Sequence, residues 1–149
     1  MKREIPNPYP DGNCFYCGRN NKNGLKLKFF LNEQNGEVST EYVPSSQFSG
    51  QGDILHGGIM MGIIDEIMGW TTYIATGEKA VTSDIHVKFI SPVYLNKSIT
   101  VICRENSREG PKVHLEVKAT NTDGRLCVKA TGTYHILSND RYEKLTSAY

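Results

Sequence analysis

The sequence predicts an α+β domain in which one antiparallel sheet curls around a single long, buried helix. Three observations carry that expectation. One apolar stretch of helical length, about Gly57 to Thr76, stops at Gly77. Two short strand-like runs precede it, and four more follow it in unbroken succession. A helix that is apolar nearly all round must be covered, and a curved sheet can cover it.

The elements are read in order. The first ten residues hold three prolines and read as an irregular arm, extending with a Cys-X-X-Cys pair to about residue 20. LKLKFFL (Leu25 to Leu31) and EVSTEYV (Glu37 to Val43) show partial alternation, and NEQNG between them predicts a hairpin. PSSQFSGQGDIL then forms a loop too rich in Ser, Gly and Gln to continue a strand. Beyond the helix, AVTSDIHVKFI (Ala80 to Ile90) stops at Ser91-Pro92, and SITVICREN (Ser98 to Asn106) follows a turn near Asn96. PKVHLEVKATN (Pro111 to Asn121) alternates most cleanly, and RLCVKATGTYHIL (Arg125 to Leu137) follows a Thr-Asp-Gly break.

At 149 residues the chain has room for one domain with a true core. A hydrophobic share of 38% against 22% charged residues argues for a folded protein rather than a disordered tail. The net charge of +1 creates no broad field for nucleic acid or a membrane surface. The N-terminus MKREIPNPYP lacks the apolar core of a signal peptide, and the four cysteines then suggest free thiols in a reducing cytoplasm. Asp65, Glu66 and the glycines of the long apolar run argue against a membrane span.

Two adjacent carboxylates in so apolar a helix need a reason. Helical spacing sets Asp65 on a stripe with Gly58, Gly62, Gly69 and Thr72, and Glu66 on a face with Ile59, Ile63, Trp70 and Tyr73. Each glycine costs helix propensity of about 1 kcal/mol relative to Ala, so something should approach the backbone along that stripe, a second helix or a ligand. Asp65 is either a satisfied polar residue or a catalytic carboxylate. His56-Gly57-Gly58 favours the second reading. The first amides of a helix lack internal partners, sit at its positive end, and form an oxyanion hole when glycines let a carbonyl approach. Eight residues of helix separate Gly57 from Asp65 by about 12 Å, so the two can serve one carbonyl only if two copies of the helix face each other. The chemistry therefore calls for a homodimer.

Four segments together carry a family resemblance: CFYCGRNNKNGLKLKF, FSGQGDILHGG, GGIMMGIIDEIMGW and TSDIHVKFISPV. The chain resembles the hot-dog-fold acyl-CoA thioesterases of the phenylacetate-pathway type. That resemblance implies a curved antiparallel sheet wrapped around one central helix, and an acyl-CoA substrate cleaved to free acid and CoA. Asp65 would be nucleophile or general base, and the Gly57 amide the oxyanion donor. His56 would shape the loop and polarise the thioester. Thr82, from the same chain or the partner's facing strand, would orient water or Asp65. Gly58, Gly62 and Gly69 would lie along the substrate. The family's Asn or Gln six or seven residues before the His is replaced by Gly50 and Ser49, with Gln51 as the neighbouring substitute. No cofactor or metal is implied, and the expected assembly is a homodimer or a dimer of dimers. A non-catalytic acyl-CoA binder, and a hydratase or dehydratase of enoyl thioesters with His56 as base, remain as alternatives.

Cys14-Phe15-Tyr16-Cys17 has the spacing of half a zinc site, but Cys103 and Cys127 lie isolated in strands and supply no second pair. The pair reads as a structural knuckle against the first strand, with Cys14 and Cys17 as weak metal candidates. Trp70 and Tyr73 read as core, and His86, His114 and His135 as ordinary strand residues. Lys88, Arg104, Arg108 and Lys112 could meet CoA phosphates at the sheet surface or stay simply solvated, and the sequence singles out none of them. No nucleotide or nucleic-acid motif occurs.

Overall fold

The computed structural model describes residues 1–9 and 12–147. Among these residues, seven antiparallel strands form one sheet: β1 (Lys2–Glu4), β2 (Phe30–Asn32), β3 (Val38–Tyr42), β4 (Ala80–Phe89), β5 (Ile99–Glu109), β6 (Lys112–Asn121) and β7 (Leu126–Ile136). Their order is β1-β2-β3-β5-β6-β7-β4, so the chain leaves the sheet after β3, crosses it as helix α1 (Gly57–Thr76), and returns on the far edge as β4. Among the described residues no helix is long and apolar enough to cross a membrane.

Helix α1 has the expected bounds. His56 caps its start by accepting the Gly58 amide, and Gly77 ends it in the left-handed region (φ 69°) with its N–H on the Tyr73 carbonyl. Met60, Ile63, Ile64, Ile67 and Met68 are essentially inaccessible. Against them lie the inward residues of β5 and β6, among them Val101, Cys103, Val113, Leu115 and Val117. Thr71 and Thr72 are also buried, and each hydroxyl donates to the carbonyl four residues back, so neither is left unpaired. Three register shifts, at Thr82/Asp84, Glu105/Ser107 and Ala119/Thr120, bend the sheet around this helix.

The structure departs from expectation at the edges. Lys2–Glu4 is a strand rather than part of an irregular arm, because it pairs with the free side of β2. β2 starts only at Phe30; the Leu25 and Leu27 amides are taken instead by the Phe15 and Tyr16 carbonyls, which pulls that stretch onto the cysteine knuckle. β5 runs on to Glu109 through a bulge. A short helix α2 (Asn139–Thr146) was not anticipated, although Ser138 caps it and Asp140 sits in its first turn, both readable start signals. Pro10 and Asp11, within the proline-rich arm, lie outside the described residues.

Candidate active site

Asp65 sits mid-helix, half-buried, on the wall of a cavity of about 650 Å³ that Glu66, Gly69, Thr82 and Tyr134 also line. Two hydroxyls converge on it. Thr82 Oγ1 of the same chain donates to Asp65 Oδ1 at 2.6 Å. Tyr134 donates to the same Oδ1 and lies 2.6 Å from the Asp65 backbone carbonyl. Burial first, and then the neighbouring Asp65 charge, push the Tyr134 phenol far above its ordinary range, so it remains a donor. Thr82 and Tyr134 are directly opposite one another in the β4–β7 ladder.

A bulge makes that pairing useful. With strict alternation Thr82 would share its face with Asp84, His86 and Lys88, all exposed. The register shift between Thr82 and Asp84 inserts Ser83, so Thr82, itself still exposed, falls on the face of Ile85 and Val87, which pack on the core, and its hydroxyl reaches Asp65 of the helix. Gly132 accommodates the distortion from β7. A Cβ there would lie 2.6 Å from Met68 Sδ and 3.0 Å from the Asp84 carbonyl.

The glycine stripe beside Asp65 is occupied, but not as expected. A Cβ on Gly62 would overlap the Tyr16 ring, and one on Gly69 would meet the Tyr134 ring at 3.5 Å. Of the positions expected to take a second helix or a ligand, Gly62 is closely approached by the chain's own Tyr16, while Gly69 has room for a Cβ in ordinary contact with Tyr134. Neither tyrosine carries a signal in local sequence, and Tyr134 is the site residue that sequence reasoning missed.

The helix start is built differently. Gly57 is exposed, and its amide donates to no acceptor among the described residues. The Gly58 amide is already held by His56 Nδ1 at 2.9 Å. A ring nitrogen that accepts carries no proton, which puts the proton of the neutral ring on Nε2. Phe89, Ile90, Met60 and Gly57 line an apolar cavity of about 330 Å³ here. Ser49 gives its hydroxyl hydrogen to the Gly52 carbonyl at 2.7 Å, and Gln51 is exposed on the same loop. Gly50 lies against His56, where a Cβ would be 3.0 Å from its Cα. Of the surface cations, Arg104 pairs with Glu116 and Arg108 with Glu105, and Lys88 is exposed on β4.

Glu66, one position round the helix, faces the knuckle instead. Trp70 Nε1 donates to Glu66 Oε1 at 3.1 Å, and Cys14 Sγ lies 3.6 Å from the same oxygen. Burial lifts the Glu66 acid from 4.5 to about 7. Cys14 is drawn below the usual thiol range, chiefly by the Cys17 thiol, while the same contact pushes Cys17 up. Trp70 itself is core, stacked on Phe29 at 4.7 Å.

Residues 52–128, which include the His-Gly-Gly and both carboxylates, match the family model of the thioesterase superfamily. The chain belongs to the thioesterase superfamily. Membership places it among thioester hydrolases. It is 31% identical over 110 residues to a Saccharolobus solfataricus protein named as a candidate esterase, covering 72% of this chain and 76% of that one. Solved structures share the hot-dog fold. The PaaI protein of the Escherichia coli phenylacetic acid degradation operon superposes with a TM-score of 0.70 at 15% identity, over 76% of this chain and 81% of that one. A Streptococcus mutans UA159 protein solved with acetyl CoA gives 0.65 at 22% identity, over 70% and 83%. A further thioesterase superfamily protein gives 0.76 at 19% identity over 81% of this chain; that protein is longer, and this chain spans 62% of it.

Proposed function

We propose that this superfamily member hydrolyses an acyl-CoA thioester, with Asp65 of one copy and the Gly57 amide of a second copy acting on one carbonyl. The observation that carries the reading is a carboxylate fixed by two hydroxyl donors at a cavity wall, together with an open helix-terminal amide. Asp65 serves as nucleophile or as base for the attacking water. Charge that develops on the carbonyl oxygen meets the Gly57 N–H and the positive end of the helix dipole. With Asp65 as base, the water oxygen bonds to the carbonyl carbon as Asp65 takes its proton, the C–S bond breaks, and that proton passes to the CoA thiolate. With Asp65 as nucleophile, the C–S bond breaks as an Asp65 anhydride forms, and water then cleaves it to the acid, giving its proton to the thiolate. Thr82 and Tyr134 hold the Asp65 carboxylate in its working direction, and His56 holds the Gly58 amide and points an N–H donor outward from Nε2. That tautomer also speaks against His56 as the base of an enoyl hydratase.

The two halves lie about 12 Å apart on one helix, which is why a second copy is needed. The sheet supports such an assembly. β4 is its terminal strand, ten residues long, and long uncovered edges are a liability that proteins close. Phe89 (53% exposed), Ile90 (48%) and Met61 (43%) lie around that edge and the helix start, an apolar surface suited to pairing with a second copy. A bound acetyl CoA in the S. mutans relative supports the substrate class.

A panel of acyl-CoA thioesters assayed for thiol release tests the proposal. Wild type should turn over at least one of them, and Asp65→Asn should lower kcat by on the order of 10³-fold or more without disturbing the fold. Equilibrium binding of acyl-CoA without thiol release would instead make the protein a carrier. An active species that sediments as a monomer would refute the shared site.

A further inference from the structure

The Cys14–Cys17 knuckle and Glu66 meet at a point that the proposed hydrolysis does not use. Cys14 Sγ, Cys17 Sγ and a Glu66 carboxylate oxygen all lie within 4.8 Å of one another. We propose that these three side chains bind a single zinc-class divalent cation, fastening the N-terminal knuckle to the central helix beside Asp65.

Distance supports it first. Zinc bonds of about 2.3 Å to sulfur and 2.1 Å to oxygen, at the tetrahedral angle, set ligand sulfur and oxygen about 3.6 Å apart. Cys14 Sγ is 3.6 and 3.7 Å from the two Glu66 oxygens. The cation would enter an arrangement already near the required size.

The turn is also shaped for it. The backbone amides of Tyr16 and Cys17 address the Cys14 sulfur, as donors that favour a thiolate. Gly18 closes the turn with its N–H on the Cys14 carbonyl at 2.8 Å. A Cβ at Gly18 would lie 2.4 Å from the Gly12 carbonyl and 2.5 Å from the Cys14 amide, so the position after the second cysteine admits no side chain.

Glu66 completes the set. The indole N–H of Trp70 fixes one of its oxygens, the kind of outer hydrogen bond that orients a metal ligand. No Lys, Arg or His forms an ion pair with it among the described residues, although it is largely buried in an apolar helix. A divalent cation supplies the missing positive charge. Each ligating thiol gives its proton to solvent, and no electron is transferred. Three protein ligands leave a tetrahedral ion one further position, and Cys14 and Glu66 both line the Asp65 cavity.

The test uses the full-length protein, reduced and stripped of metal, then titrated with Co²⁺ and displaced with Zn²⁺. One Co²⁺ per chain should bind, with a thiolate-to-cobalt charge-transfer band and the visible bands of a tetrahedral ion. Cys14→Ser and Cys17→Ser should each diminish that band. Glu66→Gln, which keeps an oxygen acceptor for Trp70, should fold normally, retain the band and weaken affinity by at least about 10-fold; Trp70→Phe should weaken it by about 10- to 100-fold. Absence of stoichiometric uptake overturns the proposal, as does a Glu66→Gln variant that binds as tightly as wild type.

Discussion

Tyr134→Phe removes one oxygen from the proposed active site and leaves the ring in place. That ring stays against Gly69, where its atoms come within 3.5–3.8 Å of a would-be Cβ, so no cavity larger than a hydroxyl opens. The lost hydroxyl served two acceptors on Asp65. The backbone carbonyl keeps its helical amide, and the carboxylate keeps Thr82. What disappears is one buried hydrogen bond to a carboxylate, worth about 1.5–3 kcal/mol. With a urea m-value of about 1–3 kcal/mol/M, the unfolding midpoint should fall by on the order of 1 M. The same substitution in an Asp65→Asn background addresses a neutral acceptor and should cost only about 1 kcal/mol, so the double-mutant cycle should show coupling. A carboxylate held by Thr82 alone should also work more slowly, with kcat down about 10- to 100-fold and KM little changed. Equal stability costs in both backgrounds, with kcat intact, would mean that the Tyr134 hydroxyl does not address this carboxylate.

Other outcomes follow from neighbouring contacts. Thr82→Val keeps the shape but loses the 2.6 Å donor, and kcat should fall about 10-fold; Thr82→Ser should restore it, whereas a purely structural role would leave the two variants alike. Gly132→Ala places a Cβ 2.6 Å from the buried Met68 sulfur beside the β4 bulge, and should destabilise by about 1–3 kcal/mol in chemical denaturation; an unchanged midpoint would count against the bulge packing. Because the Glu66 acid is raised from 4.5 to about 7, its contribution to stability is complete below pH 4.5 and is lost as pH climbs through 7. In chelator-treated protein, Glu66→Gln should therefore gain on wild type across that window by up to about 3 kcal/mol, and a pH-independent difference would refute the burial argument. Cys14 and Cys17 face the same carboxyl and are present in both proteins compared.

Much of the architecture was legible because it rests on periodicity. The helix from Gly57 to Thr76 could be bounded by its cap and its terminal glycine, and the Val113-Leu115-Val117-Ala119 alternation matched a strand buried on that face. The edge elements were less legible. β1 is a strand only because β2 offers it a partner, and β2 is short because the knuckle takes the Leu25 and Leu27 amides. Within the site, Asp65, Gly57, His56 and Thr82 could be singled out from spacing and resemblance. Helical spacing marks the Gly62–Gly69 stripe for a second helix or a ligand, and nothing in it names Tyr16 and Tyr134 as the groups that lie against those glycines.

The sequence by itself determined the buried helix, the strands around it and the two carboxylates on different faces, because those follow from local periods and from the energetic cost of burying charge. Only the tertiary structure decided what each carboxylate meets. Asp65 lies 69 residues from Tyr134, and Glu66 lies 52 from Cys14. An inserted Ser83 reverses which face of β4 carries Thr82. Register and bulges are collective properties of paired strands, and a hydrogen bond across them has no local trace in the chain.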